Sequence, residues 1–132
     1  MTETCSEPPC ETRAKALTKS LREYVGDDLR SVLRYDDDGA ELVYVREDVA
    51  DDYSATEVEQ VVRDVRLEAV EKPHQEGLYE HGSLDCTVRC FDDAVEVHFP
   101  HDETSGTAVA LDHDVLTDED TLLGKCIELV DR

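Results

Sequence analysis

The stretch from Leu84 to Phe99 constrains the fold most. Leu84, Cys86, Val88 and Cys90 alternate with Asp85, Thr87 and Arg89, Asp92-Asp93 interrupts, and Val95, Val97 and Phe99 then alternate with Glu96 and His98. A period of two is the signature of a strand with one apolar face, and two such runs around an acidic turn predict an antiparallel pair. On this reading Leu84, Cys86, Val88 and Cys90 point inward, with Val95, Val97 and Phe99. Glu96 and His98 point outward.

The other segments supply what such a sheet needs. Ala14, Leu17, Leu21, Tyr24 and Val25 recur at helical spacing, and Gly26 is placed to stop that helix. Residues 29–35 and 41–46 are β-rich runs joined through Asp38-Gly39, a hairpin signal. Ser54-Ala-Thr-Glu57 has capping-box spacing and opens a helix expected to reach about Lys72, where Pro73 ends it and a loop over 73–82 follows. Thr107–Leu111 reads as one more strand. A final helix is expected from about Thr117-Asp118, with Leu122, Leu123, Cys126, Ile127, Leu129 and Val130 forming its apolar stripe. The order is α-β-β-α-β-β-β-α. The fold expected is α/β (α+β), a five-stranded antiparallel sheet with flanking helices. Residues 1–11, with Pro8-Pro9 and no periodicity, read as a flexible arm ahead of a single domain over 12–132.

Charge restricts the partners. The 132 residues hold 34 acidic and 13 basic side chains, a formal charge of −21. A surface this negative repels phosphate, which argues against nucleic-acid binding by the chain alone. The segment MTETCSEPPC lacks the cationic and apolar regions of a signal peptide, and no apolar run approaches the roughly 18 residues of a membrane span. A cytoplasmic setting without a membrane partner is expected. Val, Leu, Ile and Phe still make up about a quarter of the chain, above the roughly one-fifth below which acidic chains stay disordered. Few lysines and acids spread through the turns fit a chain adapted to molar salt.

The element order resembles roadblock/LC7 domains of profilin-like architecture over residues 12–131. Segments 29–49 (LRSVLRYDDDGAELVYVREDV) and 86–100 (CTVRCFDDAVEVHFP) are also similar to a family of small acidic haloarchaeal proteins. The first resemblance implies a dimeric adaptor, the second a high-salt habitat. PAS- and GAF-like sensor domains share similar elements.

Candidate chemistry is sparse. His98, His101 and Asp102 could offer two imidazoles and a carboxylate to a metal at a strand end, but His98 is expected to be solvent-exposed. Cys5 and Cys10 could pair or ligate, without the second pair that makes a zinc site. Cys86 and Cys90 lie too far apart along one strand for either purpose and are expected, with Cys126, to be buried. Arg30, Arg34 and Arg89 are expected to neutralise nearby acids, for example Glu41 across the hairpin. No phosphate loop or nucleophile elbow is present. Neither catalysis nor a cofactor is expected.

Val58, Val61, Val62, Val65 and Ala69 share one sector of the second helix, the expected core face, while Leu67 and Val70 fall outside it. The roadblock-like resemblance implies that the third strand is a sheet edge and that the second helix lies where two subunits meet, so Leu67 and Val70, with the strand through Leu84, Cys86, Val88 and Cys90, are the candidate self-association surface. The function expected is a non-catalytic interaction or regulatory (adaptor) module that forms a homodimer and binds an as yet unspecified protein. The alternative is a PAS/GAF-like small-molecule or metal-sensing domain. A tightly packed core favours the first, and a cavity lined by several polar groups favours the second.

Self-repulsion at −21 should destabilise the compact state in dilute salt. The urea midpoint should rise between about 0.1 M and a few molar KCl, as the Debye length shrinks from about 10 Å to about 3 Å or less. A flat midpoint across that series would contradict adaptation to high salt.

Overall fold

A computed structural model describes residues 10–130, with side chains from Arg13 onward. The sheet has the strand order β2-β1-β5-β4-β3, formed by β1 (Leu29–Asp36), β2 (Gly39–Val45), β3 (Thr87–Cys90), β4 (Ala94–Pro100) and β5 (Gly106–Asp112). Every neighbouring pair is antiparallel. The fold is therefore α/β with a five-stranded antiparallel sheet. The helices are α1 (Cys10–Val25), α2 (Ala55–Val70), α3 (Lys72–Tyr79), α4 (Asp114–Thr117) and α5 (Leu122–Val130).

Both faces of the sheet are covered. Leu17, Leu21 and Val25 of α1, with Val115 and Leu116 of α4, pack on Leu29, Val32, Val95, Val97, Val109 and Leu111. On the opposite face Val65 and Ala69 of α2 join Leu33, Tyr35 and Ala108, with Val58 and Val62 packed beside them. Central strand β5 is buried from Gly106 to Leu111, as a strand covered on both sides must be.

The local signals work as chemistry requires. Ser54 Oγ accepts the Glu57 amide at 3.1 Å, closing the expected helix cap. Gly26 has a φ of +61° just after α1, a conformation that favours glycine. The hairpin turns through Asp37-Asp38, and Asp36 Oδ1 accepts the amides of Asp38 and Gly39 at 2.9 and 3.1 Å.

Five expectations need correction. Residues 72–79 are helical rather than a loop, because Pro73 falls in the first turn of α3, where a missing N–H costs nothing. Strand β3 begins at Thr87 rather than Leu84, since the Leu84 amide donates to Glu76 Oε2 of α3 at 2.7 Å. Helix α4 precedes the last helix and takes the place on the sheet that the α5 stripe was expected to fill. Leu122 is accordingly 82% exposed and Leu129, Val130 and Cys126 are also exposed. Tyr24, at 88%, points to solvent rather than into the core. Helix α1 begins at Cys10, so the expected arm over 1–11 overlaps it by two residues, and residues 1–9, with Cys5, lie outside those described.

Two glycines make opposite demands. A Cβ on Gly106 would sit 2.5 Å from the Tyr35 hydroxyl and 2.8 Å from the Phe99 carbonyl, whereas one on Gly77 in α3 would meet nothing within 4 Å. Gly106→Ala should cost about 1–3 kcal/mol through overpacking. Gly77→Ala should stabilise by about 0.5–1 kcal/mol through helix propensity. Urea unfolding of both variants checks this; a neutral Gly106→Ala would contradict the packing of Tyr35 over that position.

Candidate functional site

Helix α2 packs on β1 and β5 through Val65 and Ala69, and its Asp64 and Glu68 reach Arg89 of β3 and His98 of β4. Helical spacing puts Glu57, Val61, Asp64, Val65 and Glu68 on its sheet-facing side, and strand alternation brings Glu96 and His98 of β4 up beneath them. In β3, Thr87 pairs with His98 and Arg89 with Glu96, so all four share that face. Between helix and sheet lies an open cavity of about 410 Å³. Val61, Val65, Phe91 and Ala108 form its apolar walls, and Thr87, Arg89, Glu96 and His98 are among its polar groups.

A hydrogen-bonded chain borders the cavity. His98, 5% exposed, shares a hydrogen bond with the Tyr35 hydroxyl through Nε2 at 2.8 Å and one with Glu68 Oε1 through Nδ1 at 2.7 Å. An ionised Glu68 can only accept, so Nδ1 carries a proton, and in the neutral ring Nε2 accepts from Tyr35. Glu68 also takes a hydrogen bond from Arg89, whose other arm donates to Asp64 at 2.8 Å. The Asp64 bond raises the Arg89 guanidinium further above its ordinary range, against the opposing effect of burial. Tyr35 is fully buried, with the Arg66 guanidinium 5.3 Å from its ring centroid, so it supports the chain from below and is closed to any ligand.

Glu96 behaves differently. Burial pushes its carboxyl up, against the pull of Arg30 and Arg89. Arg30 donates to Asp112 at 3.2 Å, and Arg89 is held by α2. Among the described residues the Glu96 carboxylate has no hydrogen-bond or ion-pair partner. It also borders a smaller cavity of about 70 Å³ toward Tyr53, whose hydroxyl is 3.1 Å from Ser31 Oγ.

The model of a family described as a domain of unknown function, DUF7522, matches residues 15–131. The chain belongs to this family. Neither a curated protein nor a solved structure matches it. The DUF7522 match spans the whole sheet and its covering helices apart from residues 10–14 of α1, so the cavity lies within the family domain.

Several candidate residues are placed otherwise than expected. His98 is buried rather than exposed, because α2 covers the face that simple alternation assigns to water. His101 Nε2 lies 3.0 Å from Thr107 Oγ1, and Asp102 Oδ1 accepts the Thr104 and Ser105 amides, which lower its carboxyl. His98, His101 and Asp102 therefore serve separate contacts. Among the described residues no group of three or more His, Cys, Asp or Glu could hold a metal. Cys86 is half-buried against the α1-side core, but Cys90 and Cys126 are exposed, contrary to expectation. Val88, at 40%, is exposed as well, since β3 is an edge strand lying beyond the cover of α1.

Of the candidate self-association residues, Leu67 and Val70 are 63% and 60% exposed on α2, while Leu84 and Cys86 precede β3. Val88 and Cys90 pair with Val97 and Val95, on the α1 side of the sheet, opposite α2. These residues form no single side-chain patch; what could join them is the open backbone of β3. The arginines do neutralise acids: Arg34 reaches Asp36 at 3.0 Å and Glu41 at 3.4 Å. Sequence reasoning missed Tyr35, Glu68 and Glu96. The signal for Glu68 was available, because it falls on the helical side of Val61 and Val65.

Among the described residues no helix is long and apolar enough to cross a membrane.

Proposed function

We propose that this chain is a non-catalytic regulatory module that binds a small ligand between α2 and the β3–β4 side of the sheet. The single observation that carries this reading is the cavity of about 410 Å³, apolar at its walls and polar at a few fixed points. Ligand sites are usually concave, mostly apolar and about 300–1,000 Å³ in size. The element order is compatible with PAS-, GAF- and roadblock-like architectures alike; the polar-lined cavity tips the balance toward sensing over pure adaptor work. The acid excess supports a high-salt, cytoplasmic setting of the haloarchaeal kind.

Self-association is the second reading. It is favoured by the open edge of β3 and by exposed Leu67 and Val70. Pairing of β3 with its symmetry mate would satisfy that edge, and the same surface could take up another protein.

Protein-observed NMR at molar KCl, with a library of small fragments, tests both. Binding fragments should shift residues 57–68, 87–91 and 96–98, and Val61→Trp, which fills the mouth, should weaken them by about tenfold or more while leaving the fold intact. Self-association would instead shift residues 67–70 and 84–90 with protein concentration alone. Fragments that bind elsewhere, or that ignore Val61→Trp, would overturn the ligand reading.

A further inference from the structure

We infer that Glu96 anchors a ligand carrying a protonated amine on an apolar body. This rests on the cavity being a ligand site, as proposed above, and adds the chemistry of what fills it.

The first support is the position of Glu96. It stands on the sheet face beneath α2, bordering both the main cavity and its smaller neighbour toward Tyr53. Glu96 is half-buried, so its carboxylate is only partly hydrated and has no partner to make up the loss, whereas side chains in such places are ordinarily paired. The buried and charged groups nearest it are paired. Ser31 meets Tyr53, His98 meets Tyr35 and Glu68, and Arg89 meets Asp64 and Glu68.

The second support is what the flanking cations do. Arg89 lies directly opposite Glu96 in the β3–β4 ladder, where a cross-strand ion pair would ordinarily form. Its guanidinium instead turns up to α2. Arg30 on the other side is held by Asp112. Glu96 is thus left with two cations at a distance and none in contact, facing a space large enough for a guest.

The third support is complementarity. A guest's ammonium would supply the missing charge to Glu96, in a partly desolvated site that salt screens less than the surface. Its apolar part would lie on Ala108 and against Val61 and Phe91, which are 38% and 54% exposed at the cavity. An anionic guest would meet Glu96 unpaired, with Arg89 already engaged twice. A neutral guest would gain the apolar contact only.

Three matched probes separate these cases: 4-phenylbutylamine, 4-phenylbutanol and 4-phenylbutyrate, titrated into the full chain by protein-observed NMR at molar KCl. The amine should bind about tenfold or more tightly than either analogue. In Glu96→Gln that preference should vanish while 4-phenylbutanol binds as before, which also shows that the variant is folded. If the alcohol or the carboxylate binds as well as the amine, or if the amine preference survives Glu96→Gln, the inference fails and the cavity remains a ligand site of other chemistry. If none of the three shifts residues 57–68, 87–91 or 96–98, the ligand reading falls with it.

Discussion

The hydrogen-bonded chain from Tyr35 through His98 to Glu68 joins β1, β4 and α2 at one buried point. Buried polar groups must find partners, and here each partner comes from a different element, so the three can be satisfied together in only one relative placement. Gly106 makes the chain possible by leaving room for the Tyr35 hydroxyl. Arg66 adds a second tie, donating from α2 to the carbonyls of Asp36 and Gly39 at 2.9 and 3.2 Å while lying over the Tyr35 ring. Helix α2 is held to the sheet through its C-terminal half, where Val65 and Ala69 are buried. Val61, a turn earlier, is more than one-third exposed and faces the cavity instead. The same contacts that fix the helix thus define where the cavity opens.

Scarcity of cations shapes the rest. With 13 basic side chains for 34 acids, single arginines serve two carboxylates each: Arg34 takes Asp36 and Glu41, Arg46 takes Asp48 and Asp112, and Arg89 takes Asp64 and Glu68. Asp112 is held below the usual carboxylate range chiefly by Arg46. Arg46 also donates to the Asp27 carbonyl, tying the end of β2 to the segment after α1. Such sharing stabilises the joints between elements and leaves Glu96 without a contacting cation beside the cavity under α2.

The architecture was legible where a residue acts through its own backbone. Ser54 caps α2 and Gly26 ends α1 with contacts only a few residues away, and the hairpin around Gly39 is equally local. The alternation in β4 also sorted its residues onto the right faces. It could not say that both faces are covered, because that depends on α2, thirty residues away, and so His98 read as wet. The same blindness hid how little covers β3: Val88 and Cys90 have the pattern of core residues, yet both are exposed on the edge strand. Pro73 read as a helix end because a proline that breaks one helix and a proline in the first turn of the next look alike in sequence. The α5 stripe misled for a related reason, since apolar periodicity shows that a helix has a sticky side and not what covers it.

His98 is held between Tyr35 and Glu68 with its ring proton on Nδ1. Long-range proton–nitrogen NMR of the histidine side chains, at a pH where the ring carries a single proton, reads that geometry directly. Free neutral histidine favours the Nε2–H form, and an accepting Glu68 carboxylate should invert this preference. His98 should show an Nδ1–H ring together with a slowly exchanging Tyr35 hydroxyl proton. An Nε2–H ring, or rapid exchange between the two forms, would contradict it.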